Sequence, residues 1–353
     1  MELRNFIESL AREGLLQRVQ QLLDWNLEIG EMTRQNQVPL LFENIKDYPG
    51  QALFTNGLSS FASVRLALRL APALSRSAVI RKTIERMASP IPPVIASSGP
   101  AQEIIIPGPQ IDFLKFPIPR WSGQDSGRYI GTWHINVTRD PDTGIRNLGV
   151  YRMQVLGPNR ATVSTSPKSH LSHHFAKAEK EGKPLEMAVA IGVSESIVMA
   201  AASGYPLGSD EYDLAGALEE ESVSLIRCGS VNLEVPATSE IVIEGFLQPG
   251  VRVQDGPYFD YAGKPTVNAH AYVFQATRLS HRKNPIFRGA AIGRPGAEDQ
   301  QLFSVLSELN LFDFHGSRLR QKLQAQLIKR KMFKCFQYVG RISNPERWRG
   351  KHN

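Results

Sequence analysis

The chain has 353 residues, enough for two or three domains with cores of their own. With 42% hydrophobic residues it has a folded protein's composition, which excludes a disordered chain. Lys and Arg outnumber Asp and Glu by 41 to 34, but residues 316–353 carry a crowd of cations and one acid, Glu346. The rest is nearly neutral, so the net +7 does not describe a nucleic-acid-binding surface spread over the molecule.

Leu3, Phe6, Ile7 and Leu10 recur at helical spacing, and Leu15, Val19, Leu22 and Leu23 continue it after Gly14, so residues 1–35 are expected to be helical. The start MELRNFIESLAREG carries acids and is not a signal peptide. No run of about 18 apolar residues is present, and a cytoplasmic location is expected. PLLFENI (39–45) reads as a buried strand ended by a DYPG turn, and 63–70 and 75–87 read as helices. SPIPPVIASSGP (89–100) has the Pro and Ser content of a linker.

From about 101 to 290 the texture is β. Short apolar runs are separated by Gly, Pro, Asn and Asp, with RDPDTG (139–144) as a hairpin turn, which suggests a barrel or sandwich. Helices interrupt at 170–182 and 212–220. From Ala297 the chain is again helical, and SRLRQKLQAQLIKRKMFKCF (317–336) reads as a basic amphipathic helix. Cys228 and Cys335 form neither a disulfide framework nor a zinc spacing. No dinucleotide fingerprint, P-loop or nucleophile elbow is present.

Four groups could carry chemistry. Asn147 and Arg152 share the run NLGVYRMQV, and residues five apart in a regular strand face opposite sides, so both serve one site only if the strand bends. Arg152 lies among Val150, Tyr151 and Met153, where an Arg calls for a salt-bridge partner or a ligand anion. SPKSHLSHH (166–174) offers His170, His173 and His174 either to a metal or as a polar helix start capped by Ser169. In LGSDEYDLAGALEEE (207–221) either Ser209 or Asp210 caps a helix whose dipole favours acids at its start, or one carboxylate binds a hard cation. DGPYFDYAG (255–263) spaces Asp255 and Asp260 around a Gly-Pro turn signal; they are turn formers, working acids, or both.

Taken in order, MELRNFIESLAREG, LLFENIKDYPG, PDTGIRNLGVYRMQVLGP, KSHLSHH, SDEYDLAGAL, VPATSEIVIEGFLQPG and DGPYFDYAG resemble the UbiD-like decarboxylases, which use prenylated FMN. The resemblance covers about residues 1–295 and fades after IGRPGAEDQ (292–300). It implies an α/β protein of the α+β type. An N-terminal α/β region and linker (1–100) would precede a split β-barrel of flavin-binding type (101–295). A short helical basic segment (296–353), truncated relative to the family, would follow.

It also implies Arg152, Asp255 and Asp260 as catalytic residues. Asn147, Val150, Tyr151, Arg152, Ser169, His170 and Glu211 would lie at the cofactor. Asn147, His170 and Glu211 would hold Mn²⁺ or Mg²⁺, and main-chain oxygens near AASGYP (201–206) would hold K⁺. The implied activity is a carboxy-lyase reaction: non-oxidative, reversible decarboxylation of an aromatic or α,β-unsaturated acid. Arg152 and Asp255 orient substrate and cofactor, and Asp260 protonates carbon after CO₂ leaves. A flavin prenyltransferase would supply the cofactor, and a homo-oligomer or a hetero-subunit is expected. The alternative is a catalytically weak cofactor-binding or regulatory subunit of a larger decarboxylase or carboxylase complex.

Overall fold

The structure, a computed structural model, describes residues 1–294 and 296–313. The first apolar stripe forms α1 (Leu3–Arg12), with Leu3, Phe6, Ile7 and Leu10 buried. The second does not form a helix. Residues 17–19 are a strand, β1 (Gln17–Val19), and helix resumes only at α2 (Glu28–Gln35). Apolar residues at helical spacing over so few positions also suit a short strand, here with only Val19 buried, and the parallel partner that decides it is β2 (Leu40–Phe42). β3 (Ala52–Thr55), α3 (Phe61–Ala67) and α4 (Arg76–Met87) follow, the two helices capped by Ser60 and Ser75. The expected linker contains β4 (Val94–Ile95).

The β-rich part comprises β5 (Ile104–Pro107), β6 (Tyr129–Gly131), β7 (His134–Arg139), β8 (Arg146–Gly149), β9 (Met153–Gly157) and β10 (Arg160–Val163). Next come α5 (His170–Lys180), β11 (Leu185–Ile191), α6 (Glu195–Ala202) and α7 (Glu211–Glu219). β12 (Ser224–Arg227) and β13 (Glu234–Pro236) precede two long strands, β14 (Ile241–Phe259) and β15 (Pro265–His281). β16 (Ile286–Arg288) and α8 (Glu298–Asp313) complete the described chain. Residues 1–306 form one compact unit; the described part of the other, 307–313, is the end of α8. The basic helix expected at 317–336 lies outside the described residues.

The central sheet runs β6-β9-β10-β15-β14-β11-β7-β8, with β5 added on β15. It curls into a half-barrel. The β14–β15 ladder shifts register at several points, and such irregularities bend a sheet and increase its twist. Its concave core gathers Val189, Ile191, Ile243 and Phe274, against which α5 sets Leu171 and Phe175. The β7–β8 hairpin closes where RDPDTG predicts, with Asp140 accepting from the backbone of Asp142 and Thr143. Two smaller sheets flank it, β1-β2-β3-β16 and β13-β12-β4. β16 thus returns to the N-terminal sheet and ties the chain's two ends of the fold together.

Candidate functional site

NLGVYRMQV is not one strand. β8 ends at Gly149, β9 begins at Met153, and Val150–Arg152 form a bend between them. Tyr151 folds back so closely that a Cβ on residue 149 would lie 2.3 Å from its ring and would displace it. The backbone amide of Tyr151 is fixed on Asn136 Oδ1 at 3.2 Å. The bend therefore releases Arg152 from the alternation that would set it opposite Asn147.

Asn147 is buried on β8. His170 is the first residue of α5, whose cap is Ser169, accepting from Ser172 N at 3.1 Å. Glu211 opens α7, capped by Asp210, which accepts from Tyr212 N at 3.0 Å and pairs with Arg146. These three ends converge. His170 Nδ1 lies 2.9 Å from Asn147 Oδ1 and 3.6 Å from Glu211 Oε1, and Glu211 Oε2 accepts from Leu148 N at 2.7 Å.

Burial pushes the Glu211 carboxyl up to about 8, and burial, then His173, lowers His170. An imidazole beside a buried carboxyl that has no Lys or Arg partner among the described residues, with an amide oxygen alongside, is a donor set that suits a divalent ion. No group of three His, Cys, Asp or Glu side chains at metal-binding spacing occurs among the described residues; this cluster has two of those types plus Asn. Of the other histidines, His173 is exposed, and His174 is buried with Nδ1 on Thr138 at 3.0 Å. Neither joins the cluster.

Asp255 is not in a reversing turn. It lies within β14 opposite Asn268, at a register irregularity, with no exposed surface. Arg152 Nε donates to its Oδ1 at 2.6 Å, and Thr162 Oγ1 donates to Oδ2. Burial raises the Asp255 carboxyl, and the Arg152 charge opposes the rise. Arg152 Nη1 donates to Thr266 at 2.7 Å, and its guanidinium lies 5.1 Å from the Tyr258 ring centre. Asp260 is the turn residue of the pair. Its Oδ1 accepts from Ala262 N at 2.9 Å, where β14 reverses into β15.

A cleft of about 550 Å³ lies between some of these parts; Asn147, His170, Glu211 and Asp255 do not line it. Val150, Tyr151, Arg152, Ser169 and Asp260 all line it, so the bend, the start of α5 and the β14–β15 hairpin face one space. Small residues of the α6 region, Ala201, Ala202 and Gly204, line it too, as do Ile292 and Leu302. A mostly apolar cavity with a few converging polar groups is the usual form of a small-molecule site.

A family model described as "3-octaprenyl-4-hydroxybenzoate carboxy-lyase Rift-related domain" matches residues 93–295, and the N-terminal domain model of the same carboxy-lyase matches 7–87. The chain belongs to the UbiD family. An uncharacterised protein of Aquifex aeolicus is 35% identical, covering 89% of this chain and 71% of its own length. An uncharacterised Synechocystis protein, 31% identical, is covered over 66% of its length, so the chain spans about two thirds of such relatives. A structure of an evolved dimeric form of the UbiD-class enzyme HmfF from Pelotomaculum thermopropionicum, in complex with prFMN, aligns with a TM-score of 0.81 at 34% identity. It covers 89% of this chain and 72% of that one. The closed form of Sedimentibacter hydroxybenzoicus vanillic acid decarboxylase aligns at 0.83 and 29% identity, covering 86% and 67%.

Within this UbiD-family fold, three features escaped the sequence reading. α6 sits in ESIVMAAA, which has no polar face to mark a surface helix; it is buried and supplies the small residues of the cleft. Arg288 is 1% exposed and bonds Glu195 and Glu298, an ion network that only the fold assembles. Asp299 also lines the cleft, and in sequence it looks like any acid at a helix start. Among the described residues no helix is long and apolar enough to cross a membrane.

Proposed function

We propose that the chain is a prenylated-FMN-dependent decarboxylase, removing CO₂ non-oxidatively and reversibly from an aromatic or α,β-unsaturated carboxylic acid. The observation that carries this reading is that Arg152, anchored by Asp255, and Asp260 line one cleft beside the Asn147–His170–Glu211 cluster. The residues fit the cofactor. The start of α5, at Ser169, offers backbone amides to a phosphate, Val150 and Tyr151 line the cavity for a flat ring, and the cluster would hold Mn²⁺ or Mg²⁺ against the phosphate. Main-chain oxygens of 201–206 are the proposed K⁺ site. The cofactor, when bound, supplies the electron sink that accepts the pair left by departing CO₂.

The chain's own groups do the rest. Arg152 Nε and Nη1 are engaged by Asp255 and Thr266, while Nη2 makes no hydrogen bond among the described residues and is left for the substrate carboxylate. Asp255, braced by Thr162, holds that guanidinium in place. The carbon–carbon bond to the carboxylate breaks, CO₂ leaves, and a proton from Asp260 restores the carbon. Asp260 Oδ1 is tied to Ala262 N, which leaves Oδ2 to carry the proton and regain it from water. Tyr258, Tyr261 and Ile292 line the space and limit solvent during the transfer. Assembly as a homo-oligomer or with a second subunit belongs to the same reading. One HmfF neighbour is an evolved dimeric form, and the vanillic acid decarboxylase neighbour, ShVdcCD, includes a separate chain, ShVdcD.

The test is the absorbance spectrum and intact mass of the small molecule bound to protein from cells that also make prenylated flavin, with Mn²⁺ and K⁺ present. A prenylated FMN mass together with CO₂ release from an aryl or acrylic acid is expected. Flavin bound without turnover, with a co-purifying protein, would replace the reading with that of an accessory subunit. Asp260→Asn is expected to abolish net turnover, and unchanged turnover would remove Asp260 from the proton step.

A further inference from the structure

The proposed reaction leaves one carboxyl in the cleft without a task. Asp299 lies in the first turn of α8, is 5% exposed, and lines the cavity. Among the described residues, neither of its oxygens meets a hydrogen-bond donor in good geometry. The backbone amides of Gln300 and Gly293 favour the ionised form from nearby, but burial outweighs them and raises the carboxyl to about 7. Buried acceptors without donors are uncommon in native proteins, because the lost hydration is not replaced.

The fold keeps this group where it is. The adjacent Glu298 accepts from Arg288 Nη2 at 2.5 Å and Nη1 at 3.0 Å, and from Asn56 N at 2.9 Å. On the other side Gly293 adopts φ +94°, and a Cβ there would lie 2.2 Å from the carbonyl oxygen of Asp260. Tyr261 of the Asp260 hairpin packs on Phe303 of α8, with ring centres 6.0 Å apart. The first turn of α8 is thus locked against the hairpin. Its neighbours Ile292, Leu302 and Phe303, which also line the cleft, offer Asp299 no side-chain donor.

We propose that Asp299 is a specificity-determining residue: its carboxyl accepts a hydrogen bond from a hydroxyl or N–H of the bound acid, so the cleft selects carboxylic acids that carry such a donor. The proposal rests on the decarboxylase reading for the acid itself. Arg152 takes the anionic end, and Asp299 reads the substituent. A site built around a buried acceptor discriminates strongly against ligands lacking the donor, whereas an apolar wall discriminates weakly. A helix-start acid acting only on the helix dipole would leave that selection untouched.

The experiment uses cofactor-loaded protein and benzoic and cinnamic acids with their ring-hydroxy and ring-amino derivatives. Binding is measured by calorimetry and kcat/KM by CO₂ release. At least one substituted acid is expected to exceed its unsubstituted parent by about 10²-fold or more in binding or kcat/KM. Asp299→Leu should reduce that ratio to below about tenfold with little change for the parent acid, and Asp299→Asn, which keeps an acceptor oxygen, should restore part of it. Absence of any preference in the natural protein overturns the proposal, even if Asp299→Leu fails to fold. So does a preference that survives in folded Asp299→Leu. If no acid is turned over but preferential binding requires Asp299, the acceptor role stands and the decarboxylase reading falls.

Discussion

Asp255 has no exposed surface; burial raises its carboxyl, and the charge that opposes the rise comes from Arg152. Arg152→Ala should therefore lower kcat/KM by at least about 10²-fold, a range typical of losing one charge-stabilising donor. The fold should survive, because a buried carboxyl that loses its cation can take up a proton instead. CO₂ release and circular dichroism check the two halves. Arg152→Lys should not restore turnover, since an ammonium cannot engage Asp255 and Thr266 and still present a planar donor. Asp299 gives a pH prediction. Its folded value of about 7 lies above the ordinary carboxyl range, so the folded state holds the proton more tightly than the unfolded chain. Its contribution is complete at low pH and is lost as pH rises through about 7. The charge facing it within α8 is Glu298, which adds to the rise, and Tyr258 on β14 stays neutral across this window because burial raises it far above 10. Asp299→Asn should lack this decline and gain stability over the natural protein towards pH 8, read as melting temperature against pH. Parallel curves for the two proteins would show that Asp299 does not titrate there.

Two site residues sit at helix starts, and both starts are legible locally. Ser169 and Asp210 are of the types that cap helices, and each accepts the backbone bond expected of it. Ser169→Ala should cost about 1 kcal/mol, measured by urea denaturation, and should weaken the proposed Mn²⁺ binding because His170 follows the cap directly. The same local reading failed at residues 15–23, where helical spacing hid a strand whose parallel partner lies some twenty residues on. It also joined β8 to β9, since nothing in NLGVYRMQV marks the bend except Gly149, whose missing side chain admits the Tyr151 ring. The requirement for a bend was nevertheless readable from the alternation of strand side chains, once Asn147 and Arg152 were both assigned to the site.

At the scale of the molecule, Glu298 links distant parts of the chain: α8, the Arg288 strand and the loop at Asn56 and Leu58. Arg288 is also held by Glu195 of α6, to which Trp133 Nε1 donates at 2.8 Å. Removing one member of such a buried network leaves charge and amides unmatched. Glu298→Ala should lower unfolding free energy by about 3 kcal/mol or more, visible as a reduced denaturation midpoint. It should also loosen the first turn of α8, so turnover should fall at temperatures where the chain remains folded. Full activity in this variant would show that the cleft does not need α8 held in place.

The sequence by itself determined the β-rich character of the half from about 101 to 290, the helices α5 and α7 within it, the cap of α5, and the set of polar residues worth watching. These follow from side-chain alternation, turn chemistry and capping, which act over a few residues. Its ordered motifs also carried the resemblance that the family match later supported over residues 93–295. Only the tertiary structure decided which of those residues meet. Asn147, His170 and Glu211 come from one strand and two helices, and Arg152 finds Asp255 more than a hundred residues away. Whether an acid is a surface cap or a buried acceptor without a hydrogen-bond donor among the described residues, as Asp299 is, depends on desolvation by neighbours remote in sequence, and no local pattern encodes it.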